Sequence, residues 1–165
     1  MQSLKTAGCL VFAAVCFVGC GTIAAMGKKP EDEVTLRIYE ESNSSLPTET
    51  FQTVEIPHTG VKLSIGLFPA LTERDVQSAE LYDTAGGKAI FLRFDPHGTI
   101  MLDEMTTRDR GQYLVIFLNN HPIGTWFVGQ RIINGQFLVE GDFTDEAAKK
   151  AVEALNKLGQ KNTGR

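Results

Sequence analysis

Residues 113–118, Tyr-Leu-Val-Ile-Phe-Leu, decide the fold, and the turn-forming residues Asn119, Asn120 and His121 follow them directly. A short apolar run that ends in turn-forming residues is typical of a strand buried on both faces. We therefore predict a central strand at residues 113–118 and a turn after it. The other elements can be placed around this strand.

Four further runs are predicted to be strands. Residues 34–39 and 61–67 alternate apolar and polar side chains with the period of two that a half-buried strand shows. Residues 53–56 and 88–94 are also extended runs, and Gly86-Gly87 predicts a hairpin turn before the second of them. Strands that lie next to each other in sequence are therefore expected to pair in antiparallel fashion.

Asn134-Gly135 is the strongest turn signal in the sequence. It separates residues 131–133, Arg-Ile-Ile, from residues 136–139, Gln-Phe-Leu-Val. Asn-Gly between two apolar runs is typical of a two-residue hairpin. The sequence therefore predicts that these two runs pair with each other.

Three helices are predicted. Thr72 begins a short helix, with an acidic residue placed to complete a capping box. Asp95 caps a second helix, which has Pro96 as its first residue and ends before Gly111. A third helix, over residues 144–158, carries a stripe of apolar side chains at helical spacing.

The order of these elements predicts an α+β fold. Strands, a short helix, a strand, a helix, further strands and a final helix favour a mainly antiparallel sheet with two or three helices packed on one face. We expect a single domain over residues 34–158, followed by a disordered tail at residues 159–165.

The N-terminus has the pattern of an export signal. Lys5 precedes an uncharged apolar stretch over residues 7–26. Residues 17–20, Phe-Val-Gly-Cys, resemble the lipobox of bacterial lipoproteins, in which a lipid is attached to the cysteine before the signal is removed. This resemblance implies a signal peptide at residues 1–20 and a lipid on Cys20 that holds the protein to a membrane.

The remaining N-terminal residues favour a protein held in the cell envelope. Residues 21–33 are expected to form a polar tether, and the domain is expected to face the periplasm. Gly21 follows Cys20, where Asp often retains lipoproteins at the inner membrane, so the outer membrane is favoured. Two alternatives stay open, because the apolar stretch is long enough to cross a bilayer uncleaved, and the signal could be removed without lipidation.

Composition excludes several classes of function. All three cysteines lie at or before Cys20, so no disulfide and no thiolate metal site is expected in the domain. The formal net charge is −4, with acidic and basic residues interspersed. A nucleic-acid-binding face would require clustered basic residues, so nucleic acid is not an expected partner.

Several motifs in the second half of the chain match those of a known family. Residues 94–98, Phe-Asp-Pro-His-Gly, are similar to its Phe-x-Pro-x-Gly helix start, and residues 141–147 are similar to its Gly-x-Phe-Thr-x-Glu-Ala signature. The short helix at residues 71–76 and the strand and turn at residues 114–120 also have counterparts. On these motifs, residues 71–158 resemble the periplasmic head subdomain of SecD and SecF, subunits of the bacterial protein-export machinery.

The resemblance implies a free-standing head-like module that contacts polypeptide. SecD also has transmembrane helices whose charged residues couple export to the proton gradient, and the sequence has no counterpart of these. Trp126 stands where the family usually has Pro. The implied role is therefore binding or scaffolding by a tethered domain, and not proton-driven export itself.

The sequence predicts no catalytic residues, no metal site and no cofactor. The three histidines, His58, His97 and His121, lie in or beside turns, and no two have the spacing of a zinc-binding helix. The Gly-x-Ser-x-Gly motif of a hydrolase is absent. An alternative stays open, a small envelope hydrolase or metal-dependent enzyme that uses His121 or His97 with a neighbouring carboxylate.

Trp126 and Phe127 are the predicted partner-binding residues. Adjacent residues of a strand point to opposite faces, so the two rings cannot share one core. Either both rings are covered within the domain, or one belongs to a binding surface at residues 124–128 for polypeptide or an envelope protein. A structural lipoprotein without a dedicated ligand is a further alternative.

Overall fold

The computed structural model describes residues 34–42 and 50–163. The predicted signal peptide, Cys20 and the predicted tether lie outside the described residues. Residues 164–165 of the predicted tail also lie outside them.

The described residues form nine strands and two helices, with every strand pair antiparallel. The prediction of an α+β fold with mainly antiparallel sheet is confirmed. The short helix predicted at Thr72 is a single 3-10 turn, Glu73–Asp75. The strands are β1 Leu36–Glu40, β2 Phe51–Glu55, β3 Lys62–Gly66, β4 Leu71–Thr72, β5 Val76–Thr84, β6 Gly87–Phe94, β7 Tyr113–Leu118, β8 His121–Phe127 and β9 Gln136–Val139, and the helices are α1 Pro96–Arg108 and α2 Asp145–Thr163.

The strands are distributed over three sheets. One has the order β4-β1-β7-β8, the second is the β2-β3 hairpin, and the third has the order β5-β6-β9. Strand β7 lies inside the first sheet and is covered on both faces, as its unbroken apolar sequence predicts. Its Leu114 and Ile116 belong to the main core, whereas Val115 belongs to a smaller core beneath β2 and β3.

Both helices contribute to the main core, and α2 packs against β5. Ala148, Ala151 and Leu155 of α2 are fully buried. Asn156 of α2 forms two hydrogen bonds with the backbone of Ala79, donating from Nδ2 to the carbonyl at 2.9 Å and accepting from the N–H at 2.8 Å. Because these bonds satisfy strand groups, they fix the helix along β5.

Helix α2 continues five residues beyond its predicted end at Leu158, and the prediction of a disordered tail is wrong for residues 159–163. Two tertiary contacts explain the longer helix. Asn162 Nδ2 donates to the carbonyl of Arg74 at 3.1 Å. Gly159 lies so close to Gln77 that an added Cβ would be 2.1 Å from the Gln77 carbonyl oxygen.

The hairpin predicted around Asn134-Gly135 is wrong, although the turn itself forms. Gln136 N–H donates to Asn134 Oδ1 at 3.1 Å, and Gly135 has a φ of 65°. Residues 131–133 lie against α1 instead of pairing with β9, because Thr106 and Asp103 of that helix bind them. Strand β9 pairs with β6, a strand distant in sequence.

Within residues 34–42 and 50–163, neither helix combines the length and the apolar character needed to cross a membrane.

Candidate binding groove

A groove of about 370 Å³ runs beside β9 and is here called the β9 groove. It forms where β9, the edge strand of the three-stranded sheet, passes near β8, the edge strand of the four-stranded sheet. The two edges are joined at one end, where Asp142 N–H donates to the carbonyl of Ile123 at 2.7 Å. Its lining is mostly apolar and amide side chains: Phe91, Trp126, Gln130, Arg131, Ile132, Ile133, Asn134, Gln136, Phe137 and Leu138.

Two aromatic rings form the floor of the β9 groove. Trp126 lies opposite Leu114 in the β7-β8 pair and is partly buried against the main core. Its ring meets that of Phe137 edge-on, with centroids 5.4 Å apart. Phe137 is 2% exposed, so the floor is continuous with the core and is held rigidly.

Two aliphatic side chains form the exposed rim of the groove. Ile133 is 66% exposed and Leu138 is 36% exposed. Leu138 lies opposite Phe91 across the β6-β9 pair. An aromatic floor with exposed aliphatic residues beside it is typical of a surface that buries an apolar partner.

The wall of the groove is the β8–β9 loop, residues 128–135, which is fastened to α1. Thr106, fully buried, accepts a hydrogen bond from Ile132 N–H at 2.9 Å and donates to the carbonyl of Leu102 at 2.7 Å. Arg131 donates to both oxygens of Asp103, with Nη2 at 2.8 Å from Oδ2. This guanidinium holds the pKa of the Asp103 carboxyl below its usual value.

The charged groups beside the groove are paired. Arg131 is engaged by Asp103. Arg93, on the outer face of β6, has its Nη2 3.6 Å from Glu80 Oε1 and its guanidinium carbon 5.5 Å from the centre of the Phe91 ring. The groove therefore presents apolar and amide groups to a ligand, with its cations already neutralised.

The structure separates the two predicted partner-binding residues. Trp126 lines the β9 groove, whereas Phe127 lies on the opposite face of β8. Phe127 is 51% exposed, and its ring is 5.4 Å from that of Tyr113. Phe137 and Ile133 are not among the residues predicted from the sequence, although alternation along β9 places Phe137 on the same side as Val139.

Two of the three histidines contact carboxylates at exposed positions. His97 Nδ1 lies 3.0 Å from Asp75 Oδ1, and His58 Nε2 lies 2.8 Å from Asp142 Oδ2. The imidazole of His121 forms no hydrogen bond or ion pair within the described part of the chain.

The group of His97, Asp75 and Asp95 has donor atoms within 4.8 Å of one another. Both carboxylates already serve as caps. Asp75 Oδ2 accepts from the N–H and the hydroxyl of Thr72, and Asp95 Oδ1 accepts from Gly98 N–H at 2.7 Å. The group therefore has a structural role, which is to fasten the 3-10 turn to the start of α1.

The fold is that of a small α+β domain built on antiparallel sheets. The model of the SecDF P1 head subdomain family matches residues 49–157. The chain belongs to this family. A search of curated proteins found no match.

Two solved structures share the fold. One is the structure of a SecDF described as a membrane component that enhances protein export. Its sequence is 21% identical to this chain, and the TM-score is 0.57, with 75% of this chain and 62% of that chain covered. The other, a crystal structure of SecDF in a super-membrane-facing form, is 20% identical, with a TM-score of 0.57 over 74% of this chain and 18% of that chain. The matched region thus spans about three fifths of the first chain and under a fifth of the second.

Proposed function

We propose that this protein is a membrane-tethered module of the bacterial envelope that binds extended, apolar polypeptide segments in the β9 groove and catalyses no reaction. The observation that carries the proposal is the groove floor, where the partly exposed ring of Trp126 is held rigidly against the buried ring of Phe137 beside a sheet edge. In this proposal the anchor is a lipid on Cys20. The domain then faces the periplasm, with the outer membrane favoured over the inner membrane.

Family membership supports a role that is associated with protein export. The chain belongs to the SecDF P1 head subdomain family, and one SecDF of similar fold is described as a membrane component that enhances protein export. A head-like module in the envelope would meet polypeptides before they have folded. Such segments expose the apolar side chains that folding later buries.

The composition of the groove fits this class of ligand. Burial of apolar surface contributes roughly 25 cal/mol per Å². The groove offers partly or fully exposed apolar side chains for it: Phe91, Trp126, Ile132, Ile133 and Leu138. A charged ligand gains little there, because Arg131 is already engaged by Asp103. Selectivity is therefore expected for uncharged apolar segments.

The adjacent residues Trp126 and Phe127 provide a matched test, because they lie on opposite faces of one strand. We expect Trp126→Leu to weaken binding of a fluorescent, uncharged apolar peptide to the full-length detergent-solubilised protein by about five-fold or more, corresponding to the loss of an aromatic contact. Phe127→Leu removes an aromatic ring of the other face and should leave the affinity unchanged. Fluorescence anisotropy measures both, and equal effects of the two variants would contradict the β9 groove as the site.

A second pair of variants excludes an indirect effect on folding. Ile133, on the rim of the groove, and Ile100, on α1, are 66% and 59% exposed, so replacement of either by Ser leaves the core intact. Only Ile133→Ser is expected to weaken peptide binding. Thermal unfolding should show the same Tm for both variants.

A further inference from the structure

The outer edge of β9 presents backbone groups as well as side chains. Phe94 N–H donates to the carbonyl of Gly135 at 2.9 Å, so these two residues form a hydrogen-bonded pair of the β6-β9 ladder. Hydrogen-bonded and non-bonded pairs alternate in an antiparallel ladder. Phe137 therefore directs its N–H and C=O toward β6, whereas Leu138 directs both groups away from β6.

These outward groups of Leu138 are available for hydrogen bonding. Gln136 N–H, which also points outward, is already satisfied by Asn134 Oδ1. At the other end of the strand β8 closes the edge from Glu140 onward: a Cβ added at Gly124 would lie 2.9 Å from the Glu140 carbonyl oxygen, and Asp142 N–H donates to the carbonyl of Ile123. Between them, no partner for the N–H or C=O of Leu138 is found among residues 34–42 and 50–163.

An unpaired strand edge is a template for one more strand. Proteins commonly protect such an edge with charged side chains or proline, but here the residues beside it are Trp126, Ile133 and Leu138. Two arginines near the edge, Arg131 and Arg93, are paired with Asp103 and Glu80, and the exposed Glu140, two residues beyond Leu138, disfavours an anionic segment. The edge is therefore complementary to an uncharged extended backbone with apolar side chains.

We infer that the polypeptide binds as an added strand along the outer edge of β9, with hydrogen bonds between its backbone and the N–H and C=O of Leu138. Alternate side chains of the bound segment lie over Trp126, and the intervening ones point to solvent, because side chains of a strand alternate in direction. The ligand class is an uncharged extended segment with apolar residues at every second position. This inference rests on the proposed function and adds the mode of binding to it.

Variants at Leu138 separate its backbone from its side chain. Leu138→Pro removes the outward N–H but none of the hydrogen bonds to β6, which suits a proline at an edge strand. Leu138→Ala removes the side chain alone. We expect Leu138→Pro to bind an apolar peptide about five-fold more weakly than Leu138→Ala, the effect of one backbone hydrogen bond. Equal affinities of two folded variants would overturn the inference.

A methylation scan of the ligand decides the question even if Leu138→Pro fails to fold. The probe is the peptide acetyl-Ser-Val-Thr-Phe-Thr-Val-Ser-amide, whose single Phe fixes its position, and each backbone nitrogen is methylated in turn. Titration calorimetry with the full-length protein in detergent should show an affinity loss of about five-fold or more at the one position whose N–H pairs with the Leu138 carbonyl, and little change at the other positions. An equal loss of affinity at all positions, or no loss at any, would overturn strand addition but would leave the β9 groove as the binding site. Failure of the unmodified peptide to bind would overturn the proposed function and the inference with it.

Discussion

Thr106 is the residue that joins the wall of the β9 groove to α1. Its hydroxyl is fully buried and holds Ile132 N–H at 2.9 Å. In Thr106→Val a methyl group replaces the hydroxyl, so Ile132 N–H loses its partner. An unsatisfied buried donor costs about 1–3 kcal/mol, and we expect a decrease of that size in the free energy of unfolding measured in urea.

The adjacent Thr107 provides the control for this prediction. Thr107 is exposed, and its hydroxyl lies 3.4 Å from Asp103 Oδ1, a weak contact. Thr107→Val should change the free energy of unfolding by no more than about 0.5 kcal/mol. Equal losses in the two variants would show that the buried hydroxyl contributes nothing beyond helix propensity.

At the scale of elements, the contact between α2 and β5 reverses the usual effect of a glycine substitution. Replacement of Gly by Ala inside a helix normally stabilises a protein by up to about 1 kcal/mol. At Gly159 the new Cβ would lie 2.1 Å from the Gln77 carbonyl oxygen, so the helix would have to move away from the strand. We expect Gly159→Ala to destabilise the fold by roughly 1–3 kcal/mol, the cost of overpacking, measured as a lower midpoint of urea unfolding.

Gln160, which is exposed, gives the comparison for Gly159 within the same turn of α2. Gln160→Ala should be neutral or slightly stabilising, because Ala has the higher helix propensity. A stabilised Gly159→Ala variant would mean that the end of α2 does not pack on β5. An unchanged midpoint would instead indicate that residues 159–163 are not helical, as the disordered tail predicted from the sequence requires.

Elements defined by local patterns could be predicted from the sequence, whereas elements defined by distant partners could not. Alternation and capping gave β3, α1 and the core strand β7 near their observed bounds. The Asn134-Gly135 turn was found, but its hairpin was not, because Thr106 binds the segment before the turn. The same limit applies to the groove. Trp126 could be singled out from the sequence because an aromatic residue, Phe127, follows it directly. Its contact with Phe137 could not be predicted, because that contact depends on how β8 and β9 approach each other.

At the scale of the whole molecule, the domain's N-terminal end and the β9 groove lie at opposite ends of β8. Thr35 hydrogen-bonds to Asn119, in the turn that precedes β8, by both its N–H and its C=O. Trp126 lies near the far end of that strand, about 20 Å away at the usual rise per residue. A membrane anchor attached before Val34 would therefore join the domain at the end of β8 that is remote from the groove.

The proposed anchor predicts a lipid on one cysteine. Metabolic labelling with palmitate should label the protein in intact bacteria, and Cys20→Ser should abolish the label because the acceptor thiol is lost. Cys16→Ser, which changes the same apolar stretch, should leave the label unchanged. Mass spectrometry should find a mature chain that begins at Cys20 with attached acyl chains, since stable anchoring by lipid requires more than one chain. An intact Met1 would show an uncleaved anchor instead, and an unmodified mature N-terminus would show plain secretion.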